Sequence, residues 1–244
     1  MATSKPPTPR KPGRRAGPAG ADARDALLDV ATALFAAQGV AATTLAHIAQ
    51  RAQVTPAMVH YYFKNRDQLI DVVVAERLAP VIAFVWAPAA LPAGAQDTLP
   101  DPRAVVPQIV ARIVQCASER PWLGPLWMRE VVNQGGQLRE KVFRHLPIER
   151  LQGFATLFTH SQQAGTVNPG IEPRLVFLSI LGMTLLPLAT ADLWQRIWAG
   201  GDPVPPPDTD AITAHAVALL TGGLFPPAVS PRRRARPTSP RPGS

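Results

Sequence analysis

The sequence is poor in several features that would define other kinds of protein. It has one cysteine, Cys116, so no disulfide can form within the chain, and a reducing, cytoplasmic setting fits. Charged residues make up only 17% against 46% hydrophobic, which excludes a chain disordered throughout. Nothing alternates with a period of two over any length, and no Asn-Gly or Asp-Gly pair marks a hairpin, so no sheet is expected. His47, His60, His145, His160 and His215 include no i, i+4 pair and none stands near the cysteine at metal-ligand spacing, so no metal is expected. The glycines form no phosphate-cradling loop, and Ser118 and Ser161 sit in no nucleophile elbow. No catalytic residue and no cofactor is therefore expected. Glu119, Glu130, Glu140 and Glu149 are spaced like solvated helix faces. No apolar stretch follows the N-terminal cations, because Asp22, Arg24, Asp25 and Asp29 interrupt it, so no signal peptide is expected.

Acids are also missing from both ends. Residues 1–20 carry Lys5, Arg10, Lys11, Arg14 and Arg15, and residues 226–244 carry Arg232, Arg233, Arg234, Arg236 and Arg241. Ten of the 25 basic residues thus lie in the ends, and the 15 between them face 17 acids, a net of −2. The excess charge belongs to two basic tails rich in Pro, Gly and Ala, expected to be disordered. Such tails are either simply solvated or in contact with nucleic-acid phosphates.

What is present is helical periodicity. Ala23, Leu27, Val30, Leu34 and Phe35 share one face of a helix from about Asp22 to Gln38, with Gly39 at the position of a C-terminal cap. The next helix starts at Thr43 or Thr44, either of which can cap it, and presents Leu45, Ile48 and Ala49. A short break at Ala52-Gln53-Val54 leads to Thr55 as cap and Pro56 as first helical residue. Asn65 and Gln68 have the spacing of a capping box before a long helix from about Arg66 to Trp86. Residues 87–103, with four prolines and a glycine, read as a loop. Further helices are expected at about 103–119, 122–134, 137–145, 148–164, 172–189 and 208–223, and the fold class is all-α. Leu175 to Ala191 is an uncharged run of 17 residues, short of the about 20 that a membrane span needs. It reads as a helix buried in a core or a subunit interface, with no membrane partner.

Three short helices, with a tight turn between the second and third, form a DNA-reading unit whose last helix enters the major groove by its N-terminal end. The stretch Leu27–Leu69 resembles the DNA-binding domain of the tetracycline-repressor (TetR) family. The matching features are Ala31, Leu34, Phe35 and Gly39 closing the first helix, a TTLxxIA second helix from Thr43, the Val54-Thr55 exit from the turn, and Tyr62-Phe63-Lys64 with Leu69. The pattern covers under a quarter of the chain. The resemblance implies an N-terminal helix-turn-helix domain at 21–66 and a helical-bundle effector-binding and dimerisation domain at 67–225, between disordered basic tails at 1–20 and 226–244. It implies a bacterial transcriptional repressor, acting as a homodimer on double-stranded operator DNA and released by an unidentified small apolar effector. Thr43 and Thr44 would meet phosphates, Thr55, Pro56 and Ala57 would face bases, and His60, Tyr61, Lys64 and Arg66 would clamp the backbone. The alternative for Thr43 and Thr44 is a role as caps only, and Tyr62 and Phe63 fit core plugs better than DNA contacts. Two positions depart from the family: Gln53 replaces a turn glycine and His60 replaces a tyrosine. Trp122, Trp127, Met128, Phe143, Phe154 and Phe158 are candidates either for an effector pocket or for plain core packing. Leu175, Phe177, Leu178, Leu181, Leu185 and Leu186, with Ile212, Val217, Leu219 and Leu220, are expected to form a four-helix seam between two subunits. The rival readings are a membrane-anchored DNA-binding protein and an architectural nucleic-acid binder without an effector.

Overall fold

A computed structural model describes residues 20–89, 100–198, 205 and 207–226. The basic tails, apart from Gly20 and Pro226, and residues 90–99 of the expected loop lie outside the described residues. All regular structure among the described residues is helical. Helix α1 spans Gly20–Gln38, α2 Leu45–Arg51, α3 Pro56–Tyr62 and α4 Arg66–Val73. A π-helical turn, Val74–Leu78, joins α4 to α5, Ala79–Trp86, so the chain runs as one long rod from Arg66 to Trp86. Then come α6 (Pro102–Glu119), α7 (Leu123–Trp127) with a π turn at Met128–Val132, α8 (Arg139–Phe143) and α9 (Ile148–Gln163). The chain closes with α10 (Val176–Ala189), α11 (Ala191–Ile197) and α12 (Thr209–Leu224). Helix α11 is an element that the periodicity did not reveal.

The helix starts are set by side chains that satisfy otherwise orphaned amides. Thr44, Thr55 and Asn65 accept hydrogen bonds from the backbone N–H groups of His47, Met58 and Gln68. Asp101 and Asp208 do the same for α6 and α12. The Asn65–Gln68 pair departs slightly from a capping box, since the Gln68 amide oxygen accepts from Lys64 N–H (2.8 Å), one residue earlier than the box requires.

Helix α6 forms the centre of the C-terminal domain, packing against α5, α10 and α12. Val106, Ile109 and Val110 are fully buried there, and each such side chain contributes about 1.5–3 kcal/mol of burial free energy. A second set of buried side chains, Leu28, Phe35, Ile48, Val59, Phe63 and Leu69, locks α1–α4 together. Tyr62 is half-buried and Phe63 fully buried, so both plug the core as expected. Helix α10 is not buried on all sides. Val176, Ile180, Thr184 and Leu185 face inward, whereas Leu175, Leu178 and Leu186 are exposed, as is Leu219 on α12. Leu185, Ile212 and Leu220 lie inside the subunit, which removes them from the expected intersubunit seam. No single helix among the described residues is long and apolar enough to cross a membrane; α10 and α11 pass that test only together, bent by 70°.

The turn between α2 and α3 carries a conformational cost. Gln53 N–H donates to Gln50 O and Val54 N–H to Ala49 O, a Schellman motif whose pivot residue must be left-handed. Gln53 has φ +57°. The same motif ends α9, where Gly165 (φ +73°) occupies the pivot. A side chain in that conformation costs about 1–2 kcal/mol, partly offset by the roughly 0.5–1 kcal/mol entropic penalty of glycine. Gln53→Gly should therefore stabilise the protein, by about 0.5–1 kcal/mol or a rise of 1–4 °C in Tm on the usual scaling for this size. Thermal unfolding measures it, and a lower Tm would mean that the Gln53 side chain makes compensating contacts.

Candidate nucleic-acid interface and effector cavity

The exposed face of α2 and α3 is assembled by the core beneath it. With Val59 and Phe63 buried and Tyr62 packed beside them, His60 and Tyr61, and Pro56 and Ala57 one turn earlier, point outward. Thr44, Thr55, Pro56, Ala57, His60 and Lys64 are all exposed, and Tyr61 is 82% exposed. Tyr61 rests edge-on against Tyr62, with ring centroids 5.1 Å apart, so its hydroxyl end stands in solvent on a supported ring. This face can donate hydrogen bonds to phosphates through Tyr61 and His60, and it offers the α3 N-terminus to base edges.

Two residues expected on this face are engaged elsewhere. Thr43 is buried; its hydroxyl donates to Gly39 O (2.8 Å) and accepts from Gln38 Nε2 (3.1 Å), leaving nothing to offer a phosphate. Arg66 turns inward. Its guanidinium donates to the carbonyls of Thr43 (3.0 Å) and Val40, and to Gln137 Oε1 (3.4 Å). Both side chains brace the turn between α1 and α2.

Glu130, expected on a solvated face, is instead buried, only 5% exposed. Val40 N–H donates to its Oε1 and Gln137 N–H to its Oε2, both at 2.9 Å. Ion pairs add to the attachment of α1 to the C-terminal domain. Arg24 meets Glu76 in a two-pronged contact (2.7 and 2.5 Å), and Arg77 bridges Asp29 (3.0 Å) and Asp25 (3.2 Å). Lys141 on α8 holds Asp67 and Asp71 on α4.

The six aromatic and methionine candidates do not converge on one cavity. Trp127 lines an apolar cavity of about 40 Å³ with Val85, Trp86, Phe177, Leu181 and Leu185. Trp122 lies in the wall of a separate polar cleft between α1, α5 and α6. Phe154 and Phe158 stack on each other at 5.0 Å, and Phe154 packs edge-on against Trp86 at 5.8 Å. Met128 is half-buried in its π turn, and Phe143 is 56% exposed. Sequence reasoning missed Trp86, read only as the end of a long helix, and Phe177, assigned to a subunit interface. Burial raises the Cys116 thiol above its ordinary range, keeping it protonated and unreactive.

A capped three-helix unit that exposes its third helix, mounted on an all-helical second domain, defines a helix-turn-helix fold. Residues 27–73 match the family described as bacterial regulatory proteins, tetR family. Over 47 residues the chain is 43% identical to the HTH-type transcriptional regulator BetI of Rhizobium meliloti (strain 1021), covering 19% of this chain and 23% of the relative. The chain thus matches about a quarter of that curated relative's length. The fold as a whole is similar to the ketosteroid transcriptional regulator KstR2 of Mycobacterium tuberculosis, with TM-score 0.60, 15% identity, and coverage of 83% of this chain and 95% of that one. It is also similar to the fatty acid degradation regulator FadR from Bacillus halodurans, with TM-score 0.57, 18% identity, and coverage of 86% and 98%. Residues 27–73 thus match a tetR-family DNA-binding domain, and the chain as a whole shares the all-helical fold of these structures.

The ion pairs at α1 give stability a pH dependence. Hydrogen bonds from Arg24 hold the Glu76 carboxyl below its ordinary value of 4.5. A carboxylate whose folded pKa is depressed stabilises the fold above the unfolded pKa, and that contribution is lost as pH falls through the folded one. Both partners are about one-third exposed, so solvent screens the effect. Glu76→Gln should lower stability at neutral pH and flatten the decline below pH 4.5. Urea unfolding across acid pH measures this, and identical slopes for the two proteins would remove Glu76 from the account.

Proposed function

We propose that the protein is a cytoplasmic, homodimeric transcriptional repressor that binds operator DNA through α2 and α3 and is released by a small apolar effector. The observation that carries this reading is the outward α3 face, where Thr55, Pro56, Ala57, His60 and Tyr61 stand free above a fully packed core. Thr55 to Ala57 would face the bases, while Thr44, His60, Tyr61 and Lys64 would contact phosphates. Residues 21–66 form the DNA-binding domain in this reading and 67–225 the effector and dimerisation domain. The exposed leucines of α10 and α12 supply the apolar surface of a dimer seam, and two α3 helices about 34 Å apart would enter successive major grooves.

The effector would occupy the cavity beside Trp127. Its lining is apolar, which favours neutral or largely hydrocarbon ligands, in keeping with relatives named for ketosteroids and fatty acid degradation. At about 40 Å³ the cavity holds little more than one water. A ligand of effector size would therefore have to displace its walls, and release of DNA would follow from preferential binding to the displaced arrangement.

Tyr61→Phe removes only a hydroxyl that no described residue needs. It should weaken operator binding by about tenfold or more, since a hydrogen bond to a charged group contributes about 1.5–3 kcal/mol. Fluorescence anisotropy with duplex DNA from upstream of the protein's own gene measures this. A wild-type protein that prefers no upstream duplex to random DNA would sink the operator reading. Leu178→Glu combined with Leu219→Glu should yield monomers in sedimentation. A wild-type protein that is monomeric at micromolar concentration would end the dimer reading.

A further inference from the structure

The contact at Glu130 unites features that no DNA contact or cavity wall explains. Its carboxylate is withdrawn from water, which costs several kcal/mol unless both oxygens find donors. The donors are backbone N–H groups from two separate places: Val40, in the turn between α1 and α2, and Gln137, in the loop before α8. The sequence makes room for them. Gly39 has φ +90°, and a Cβ there would lie 3.1 Å from Glu130 Oε1; a Cβ on Gly136 would run into the Glu130 carbonyl. Val40 is held on its other side as well, since its carbonyl accepts from Arg66 at the start of α4. Arg66 in turn reaches Gln137 Oε1, which closes a ring of polar contacts around the turn that precedes α2.

We infer that Glu130 is a positioning residue that fixes the orientation of the helix-turn-helix on the C-terminal domain. The inference rests on the proposed division into a DNA-binding and an effector domain. Two charge-assisted bonds aimed at one carboxylate tolerate little displacement, because either N–H left unpaired in this buried place is costly. Hydrophobic packing of α1 on α7 is non-directional by comparison and allows sliding. Glu130 also lies three residues beyond Trp127, on the same helical segment. The side chain that walls the cavity and the side chain that grips Val40 therefore move together.

The test reads orientation without DNA. Nitroxide labels at Arg51→Cys on α2 and Glu149→Cys on α9, in a Cys116→Ser background diluted with unlabelled chain, report one distance between the domains. The wild-type background should give a single narrow distribution. Glu130→Ala should lose it, giving a broad and displaced one, while circular dichroism retains the helical signal. Should Glu130→Ala fail to fold, Glu130→Gln gives the same readout, because its amide keeps the shape but presents a donor to one of the two N–H groups. A wild-type-like distribution in a folded Glu130→Ala or Glu130→Gln protein overturns the inference. Failure of the wild type to bind operator would strike the proposed function instead and leave this distance unaffected.

Discussion

A carboxylate taken out of water dictates much of the geometry of this protein. Once Glu130 is buried, two backbone amides must reach it, and both must come from segments far away or turned back in the chain. That requirement brings the turn at Gly39-Val40 onto α7 and folds residues 133–137 back over the π turn. Glycine follows at 39 and 136 because a side chain at either position would crowd Glu130. Thr43 and Arg66 then complete the turn by satisfying the carbonyls of Gly39, Val40 and Thr43. Few buried polar groups around this turn are left without a partner, as a buried polar network requires.

The π turns serve the same attachment. In an unbroken α-helix, successive side chains are separated by about 100° around the axis, so adjacent residues seldom both address one neighbour. Within the wider turn at Val74–Leu78, Glu76 and Arg77 both reach α1, one gripping Arg24 and the other Asp25 and Asp29. The second π turn, Met128–Val132, carries Glu130 itself. Such turns recur at functional places in helices, and here one faces the first helix of the N-terminal unit and the other the turn that follows it. The long rod from Arg66 to Trp86 and the segment from Leu123 to Val132 thus bind that unit at two points, and both also line the cavity, through Trp86 and through Leu123 and Trp127.

Local chemistry was legible in the sequence, whereas long-range chemistry was not. Thr44, Thr55 and Asn65 announced their helix starts because a cap is decided within four residues. The resemblance placed Gln53 where the family has a turn glycine, and its φ of +57° is the left-handed conformation that a glycine there would serve. The all-helical fold followed from periodicity, although α11 escaped because, unlike the equally short α2 and α3, it has no side-chain cap to mark its start. Glu130 was misread because its partner Val40 is 90 positions away, and a glutamate on a helix is usually solvated. Thr43 and Arg66 were misread for a related reason. A hydroxyl and a guanidinium near a DNA-reading helix have the right chemistry for phosphate, and only the fold reveals that backbone carbonyls claim them first. Phe143 and Phe154 have the same residue type, yet one faces solvent and the other packs on Trp86.

That competition for polar side chains separates the two faces of the N-terminal unit. Side chains that satisfy buried carbonyls are bound before any ligand arrives, and recruiting them for a phosphate would leave those carbonyls unpaired at about 1–3 kcal/mol each. Thr55 and Thr44 accept a single amide bond as caps and keep their hydroxyl protons free. Tyr61 needs nothing from the protein but the ring of Tyr62 beneath it. The residues available to an external anion are those whose removal leaves the fold's own hydrogen bonds nearly intact. By that criterion the proposed binding surface comprises α3 with the N-terminus of α2, and the turn at 39–43 belongs to the proposed joint rather than to that surface.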